Sequence, residues 1–357
     1  MGIHNLNKFL RNNSPNVYQT IHLSEYAFKK IAIDISLYLC KFKASYGQRW
    51  LSAFINLISC LRKNEIHCVF IYDSGAPLEK AAEREERAAA REKIEKKVIE
   101  LETDLDNYFK TGIITDSLIE LYKKNKSTPV RLLQNNNNEV EVDIDIIQKK
   151  IEKLRSYVLD ISSEDFEITK KLFTVLGVPW YHAPLEAETM CSDLCKRGLV
   201  DAVLSEDTDV LAYGAPIFLS KIDMTNETCV RINYNNMLNS LQISADSFLD
   251  FCIMCGTDYN KNIYKVGPEK SFKYIQKHRT IEEIAEKEHI DVSSLNHIRG
   301  RELFKEYTRS DIVKIPYCIR PDFSVLTQFL FDNNIYIDLE NIKKSFINDI
   351  IVFEEDD

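Results

Sequence analysis

APLEAETMCSDLCKRGLVDAVLSEDTD, residues 183–209, carries seven carboxylates, four of them in two tight pairs, Glu186/Glu188 and Asp207/Asp209. Close acids repel, each raising the pKa of its neighbours, so a cluster of this kind persists where a cation neutralises it. The donors are hard oxygens with no cysteine or histidine pair beside them, which points to magnesium or manganese. Pro184 suits a first helical turn and Gly198 a helix stop, so both glutamates fall at the N-terminus of a predicted helix. A helix dipole favours acids there by a few tenths to about 1 kcal/mol, and simple capping is the alternative for that pair. Val200–Ser205 (VDAVLS) is short and apolar apart from Asp201 and Ser205, and predicts a buried strand. Asp207 and Asp209 fall just past its end, where open α/β sheets bind ligands; a solvated loop is the alternative.

Upstream, Lys29–Ser36 (KKIAIDIS) reads as a first buried strand with Asp34 near its C-terminal end, an acid costly to bury alone. An amphipathic segment, roughly Gln48–Lys63, predicts the crossover helix. His67–Asp73 (HCVFIYD) is then a second buried strand ending in an acid. Near-continuous apolar strands separated by a helix predict a parallel sheet. Asp34, Asp73 and the Asp207/Asp209 pair therefore map to one edge of one sheet. The fold class is α/β, with a mostly parallel central sheet flanked by helices.

After Gly75–Pro77 a charged helix is predicted over Glu79–Lys97, with Lys80, Arg84, Arg87 and Arg91 on one face. A solvated helix stitched by ion pairs is the alternative reading. Ile94, Val98, Leu101, Leu105 and Tyr108 keep a four-three spacing, as do Ile144, Ile147, Ile151, Leu154 and Val158. Two such stripes around the polar tract Gln134–Asn138 predict an insertion of helices packed on each other, with the asparagine run a disordered loop. The core resumes with a helix capped by Ser162 or Ser163 and closed by Gly177, then a strand at Val178–His182. Further on, Pro216–Leu219 reads as another strand and Ala245–Cys255 as a helix, with Asp258 just beyond in GTDY. NKNIYKVGPEKSFKYIQKH supplies a turn at Gly267–Pro268 and a lysine-rich helix whose N-terminus can seat a phosphate; a surface helix with ordinary lysines is the alternative. Thr280–Phe353 reads as helical with a short strand at most, ending in the acidic tail EEDD.

The 357 residues suffice for a sizeable core and one or two domains. Apolar runs fall far short of the ~20 residues of a membrane span, and MGIHNLNKFLRNNS has no signal-peptide pattern, so the protein is expected inside the cell. Nine cysteines in apolar segments read as buried thiols, and Cys191/Cys195 and Cys252/Cys255 as core positions on helices, not zinc ligands. A formal net charge of −9 argues against a general nucleic-acid coat protein. It leaves room for a nuclease whose acids gather at a metal site while basic patches meet phosphates.

In this order the motifs resemble the flap endonuclease and XPG-type family of structure-specific 5′ nucleases, from Met1 to about Ile284 and weakly to Phe346, but not across roughly Lys97–Ser162. MGIHNL is similar to the family's N-terminus, with Gly2 where the chain end approaches DNA. AIDIS carries Asp34; FIYDSGAPLEK carries Asp73 and the family's active-site lysine, Lys80, followed by its arginine, Arg87; APLEAE carries Glu186 and Glu188, SEDTD Asp207 and Asp209, and GTDY Asp258. NIYKVGPEKSFKYI resembles the helix-two-turn-helix that holds duplex backbone with help from a monovalent cation such as K+, which implies DNA contacts at Lys261, Lys265, Gly267 and Lys270. The stretch between Asp34 and Asp73 is shorter than the family's and lacks the loop of its helical gateway. Cys40 lies where an aromatic residue often stacks on DNA, and no clamp-binding peptide or basic tail follows.

The resemblance implies residues 1–95 and 163–256 as the nuclease core, 96–162 as a helical arch or cap insertion, 257–290 as the helix-two-turn-helix and 291–357 as a helical C-terminal segment. It implies hydrolysis of DNA phosphodiesters at flap-like branches, in replication and repair, by a monomer using two Mg2+ ions about 4 Å apart, with Mn2+ able to substitute. Asp34, Asp73, Glu186 and Glu188 would surround one ion and Asp207, Asp209 and Asp258 complete the other, with Lys80 and Arg87 at the scissile phosphate. The partner is flap, nicked or junction DNA, with no membrane and no supported sliding-clamp contact, in the nucleus or another compartment of DNA replication. The alternatives are a 5′–3′ exonuclease or junction-resolving nuclease of the same family, or a nuclease-fold binding protein without activity.

Overall fold

The strands that carry acids at their ends are the most deeply buried elements of the sheet. A computed structural model describes residues 2–123, 143–158 and 161–346; the Gln134–Asn138 tract and the EEDD tail lie outside them. The described chain forms two compact units, one of Met1–Phe42, Tyr46–Ala81 and Ser162–Asp357, the other of Lys43–Ser45 and Ala82–Ile161.

The first unit is built on a seven-stranded sheet: β1 (Gln19–His22), β2 (Lys30–Asp34), β3 (His67–Tyr72), β4 (Trp180–His182), β5 (Ala202–Leu204), β6 (Ile217–Asp223) and β7 (Thr228–Asn233). Their order is β1-β7-β6-β5-β2-β3-β4. From β6 to β4 all neighbours are parallel, with Ile33 beside both Phe70 and Leu204, and Tyr72 beside His182. β7 and β1 extend the far edge antiparallel. Every residue of β3 and β5 is buried, so their sequences read as unbroken apolar runs, as strands covered on both faces must. β1 buries only Ile21, and β7 only Cys229 and Ile232, which leaves a weak periodic signal at that edge.

Between β2 and β3 the sequence predicts one helix, and the structure has two, Ile35–Tyr46 and Trp50–Lys63. The first was hidden because ISLYLC continues the apolar run of β2 without a break, and its start signal is the strand's own acid: Asp34 Oδ1 accepts from Ser36 N at 2.8 Å. The charged helix also differs from expectation, running over Ala81–Thr111 after a short 3₁₀ turn, Leu78–Lys80, so Lys80 precedes the helix. Ser162 caps the helix Ser163–Val175 in a reciprocal pair with Asp165. Helices close the chain at Ile281–Glu288, His297–Lys305, Phe323–Asp332 and Leu339–Ser345, but residues 306–322 are irregular and not helical. All nine cysteines are free thiols, and Cys191, Cys195, Cys252 and Cys255 are buried in the apolar core. No helix of the described residues is long and apolar enough to cross a membrane.

The second unit has its own core, in which Val98, Leu101 and Leu105 meet Leu118, Ile147 and Ile151. These are the buried members of the two helical stripes, joined by Leu118 from a third helix, Asp116–Lys123.

Within the first unit, Gly177 lies against the irregular segment at Ile319. Its φ is +67°, and a Cβ there would lie 2.5 Å from Ile319 O, while Gly177 O accepts from Ile319 N at 2.9 Å. Left-handed backbone costs a residue other than glycine about 1–2 kcal/mol, and here the Ile319 backbone must also shift. Gly177→Ala should lower the urea midpoint by more than Gly198→Ala, since Gly198 has φ +72° but open space around its Cβ position. Equal losses would mean that the close approach of Gly177 to Ile319 adds nothing.

Candidate active site

The C-terminal edge of the sheet gathers the acids. Asp34 ends β2 and Asp73 follows β3; Glu186 and Glu188 lie beyond β4, and Asp207 and Asp209 beyond β5. Parallel strands all end on the same side, which is why residues 175 apart in sequence (209 − 34) share one edge. Glu188, Asp207 and Asp209 come closest, with one oxygen from each lying within 4.8 Å of the others. Glu188, which the resemblance assigns with Asp34, Asp73 and Glu186, thus stands beside the Asp207/Asp209 pair.

Local hydrogen bonds hold most of these acids. Asp207 Oδ1 accepts from Asp209 N at 2.9 Å. Asp73 Oδ2 accepts from the Ser36 hydroxyl at 2.5 Å and Oδ1 from Ala187 N at 2.8 Å, so Asp73 caps the helix Ala187–Lys196. Glu186, at the N-cap position of that helix, makes no capping bond, and the capping alternative for it fails.

Asp209 is the exception. Both of its oxygens are buried without a hydrogen-bond partner among the described residues. Burial, then Asp207 and Asp258, raises its carboxyl well above the usual range. Burial also raises Glu188 and Asp207. A buried carboxylate with two orphaned oxygens, facing two other acids, fits a hard divalent cation, the ligand that would supply the missing partners.

Lys80 brings a positive charge to these acids. Its ammonium lies 2.5 Å from Glu186 Oε1, 3.5 Å from Glu188 Oε1 and 3.2 Å from Asp258 Oδ2, with the side chain only 13% exposed. Burial works to lower its pKa, but Glu188, Glu186 and Asp258 outweigh that and hold it protonated. Two phenols that the sequence did not single out complete the shell. The Tyr259 hydroxyl donates to Glu186 Oε2 at 2.6 Å and lies 2.6 Å from the Tyr213 hydroxyl. Tyr259 stood in view in GTDY, but its partners are 46 and 73 residues away and only the fold joins them.

Gly2 lies against the same site. It has φ +82°, and a Cβ would fall 2.0 Å from Asp207 Oδ1, so no larger residue fits; His4 N bonds to Gly256 O at 3.0 Å and pins the segment. Arg87 belongs to the second unit, where its Nε bonds to Glu83 at 2.8 Å. In the turn between the helices Ala245–Cys255 and Pro268–His278, Lys261, Lys265 and Gly267 follow Asp258, and Lys270 opens the second helix. Lys265 takes φ +61° with its ammonium 5.1 Å from the Tyr264 ring, and Lys270 lies 5.6 Å from the Tyr274 ring.

A model of the XPG N-terminal domain matches residues 1–94 and one of the XPG I-region residues 177–258. The chain is 37% identical over 330 residues to the probable RAD2-like endonuclease 076L of Invertebrate iridescent virus 3, covering 85% of each protein. Flap endonuclease 1 of Tetrahymena thermophila is 27% identical over 363 residues, 93% of this chain and 84% of that one. Among solved structures, the catalytic core of Rad2 in complex with DNA substrate shares the fold at a TM-score of 0.66 and 14% identity, covering 97% of this chain and 99% of that one.

The crowding of acids has a pH signature without metal. Burial, Asp73 and Asp207 push the Asp34 carboxyl up to about 8. Since that lies above the unfolded value of about 3.9, the stability involved is full below about pH 4 and lost as pH rises through about 8. In EDTA the thermal midpoint should therefore fall between about pH 5 and about 8. Asp34→Asn should flatten the fall, and magnesium should reverse it. A wild-type midpoint that does not change across this window would show that the acids are not held under mutual repulsion.

Proposed function

The chain belongs to the XPG family of RAD2-like endonucleases, and on that premise we propose that it hydrolyses DNA phosphodiester bonds beside a 5′ branch. The observation that carries this reading is the buried trio Glu188, Asp207 and Asp209, with both Asp209 oxygens unpartnered and the Lys80 ammonium alongside. The site would hold divalent cations, magnesium by the chemistry of the donors, which would supply an acidified water and positive charge to the departing group. Glu188, Asp207 and Asp209 would hold them, with Asp34, Asp73, Glu186 and Asp258 orienting the surroundings. Lys80 would turn its charge to the non-bridging oxygens of the scissile phosphate, and Arg87 is given the same task by the family resemblance. Such charge is worth most in the transition state, as negative charge grows on the phosphate.

Residues 257–290 act in this reading as a sequence-blind duplex anchor, aided by a monovalent cation, and residues 96–162 as the arch or cap that meets the free 5′ end. Gly2 brings the chain's start beside DNA and metal together. An inactive binding protein would have no use for a buried carboxylate lacking partners on both oxygens.

Labelled flap, nicked, bubble and four-way DNA in magnesium test the reading, with cleavage of the flap expected and its loss in EDTA. Preference for the four-way substrate, or stepwise removal of single nucleotides from a 5′ end, would favour the junction-resolving or exonuclease alternatives. Lys80→Ala and Arg87→Ala should each lower the single-turnover rate at saturating enzyme by about 100-fold or more, with affinity changed only a few-fold. Arg84→Ala and Glu86→Ala serve as controls, and equal behaviour of all four would reduce the segment to a charged surface.

The anchor has its own test. Lys265→Ala and Lys270→Ala should weaken binding alike for unrelated sequences, each reducing the salt slope by roughly 1 as one phosphate goes unneutralised. A loss confined to particular sequences would contradict an anchor that touches phosphates alone.

A further inference from the structure

Both oxygens of Glu186 are committed: Oε1 to the Lys80 ammonium at 2.5 Å and Oε2 to the Tyr259 hydroxyl at 2.6 Å. Since Tyr259 has one hydroxyl proton and gives it to Glu186, the 2.6 Å approach of Tyr213 must be a bond donated by Tyr213. Tyr213, Tyr259, Glu186 and Lys80 thus form one hydrogen-bonded chain that ends at the carboxylate site. All three residues behind Lys80 are buried. On the other side, Glu186 and Tyr213 line a cavity of about 300 Å³ together with Thr189, Met190 and Leu303. The Glu186 carboxylate oxygens meet the Lys80 ammonium and the Tyr259 hydroxyl, and those two bonds hold its orientation.

We infer that Tyr259, backed by Tyr213, is a positioning residue whose hydroxyl fixes Glu186 and through it the Lys80 ammonium. A carboxylate with one donor can rotate about its terminal bond, and the ammonium it holds moves with it. A donor displaced by even a fraction of an ångström loses much of its effect on a developing charge. The hydroxyl of Tyr213 polarises that of Tyr259 and strengthens its bond to the carboxylate. Outer partners of this kind typically change activity about 10–100-fold when removed. The inference rests on the assignment of Lys80 to the scissile phosphate.

The experiment compares the full chain with Tyr259→Phe, Tyr213→Phe, Lys80→Met and the double variant Lys80→Met/Tyr259→Phe. Two quantities are read: the single-turnover rate on a labelled flap duplex in magnesium, and the rate of reductive methylation of individual lysines in EDTA, by mass spectrometry. Tyr259→Phe should slow cleavage about 10-fold with DNA affinity within about 2-fold, and Tyr213→Phe less in the same direction. In the Lys80→Met background, Tyr259→Phe should cost less than about 2-fold, because its effect passes through the missing ammonium. Lys80 should methylate several-fold faster in Tyr259→Phe, while Lys170, similarly shielded at 16% exposure and paired with Glu167, keeps its rate. A full wild-type rate for Tyr259→Phe, an equal loss in both backgrounds, or faster labelling of Lys80 and Lys170 together would overturn the inference. If Lys80→Met itself cleaves at the wild-type rate, the assignment of Lys80 fails instead. The methylation arm then decides by itself whether Tyr259 holds Lys80.

Discussion

Mutual repulsion among carboxylates buried at one sheet edge is the constraint on which the rest of this molecule depends. A buried carboxylate without a partner costs several kcal/mol, and each neighbouring acid adds to that. The fold meets this cost locally wherever it can. Asp34, Asp73 and Asp207 each accept a backbone N–H close to the start of a helix, and Lys80 spans Glu186, Glu188 and Asp258. A hydrogen bond to a charged group contributes about 1.5–3 kcal/mol, enough to hold each acid in place but not to cancel the cluster. Asp209 is left over. Among the described residues it is the one acid of this edge whose two oxygens are both buried without a hydrogen-bond partner.

The same arrangement links fold to chemistry. Parallel strands deliver acids from distant parts of the chain to one line, and the turns beyond the strands decide how closely they meet. The helix Ala187–Lys196 carries Glu188 in its first turn and is itself capped by Asp73 from β3, so two members of the site fix each other through the backbone. Gly2 enters the same space because it lacks a side chain. A substitution at one of these points therefore acts on several carboxylates together, and effects at neighbouring acids should not add.

Much of this was legible in the sequence, for identifiable reasons. β2, β3 and β5 are buried on both faces, so Ile31–Ile33, Cys68–Tyr72 and Ala202–Leu204 read as unbroken apolar runs with an acid at or just beyond their ends. The stripes at Val98–Leu105 and Ile147–Ile151 were visible because helices of the second unit bury one face and wet the other. What stayed hidden depends on tertiary structure. The helix Ile35–Tyr46 merges with the strand before it, and β1 and β7 bury too few residues to show a pattern. The edge on which the acids meet follows from strand order, but the nearness of Glu188 to Asp207 and Asp209, or of Tyr259 to Glu186, does not. Those meetings depend on where a helix N-terminus and a turn come to rest, which no local spacing encodes.

The central claim is that Glu188, Asp207 and Asp209 hold divalent cations. Its most direct test is an anomalous difference map from crystals grown or soaked in manganese, collected at the manganese absorption edge. Strong density in direct contact with oxygens of all three residues is the expected result. Saturating manganese with no density at that position, or with density only elsewhere on the molecule, would contradict it.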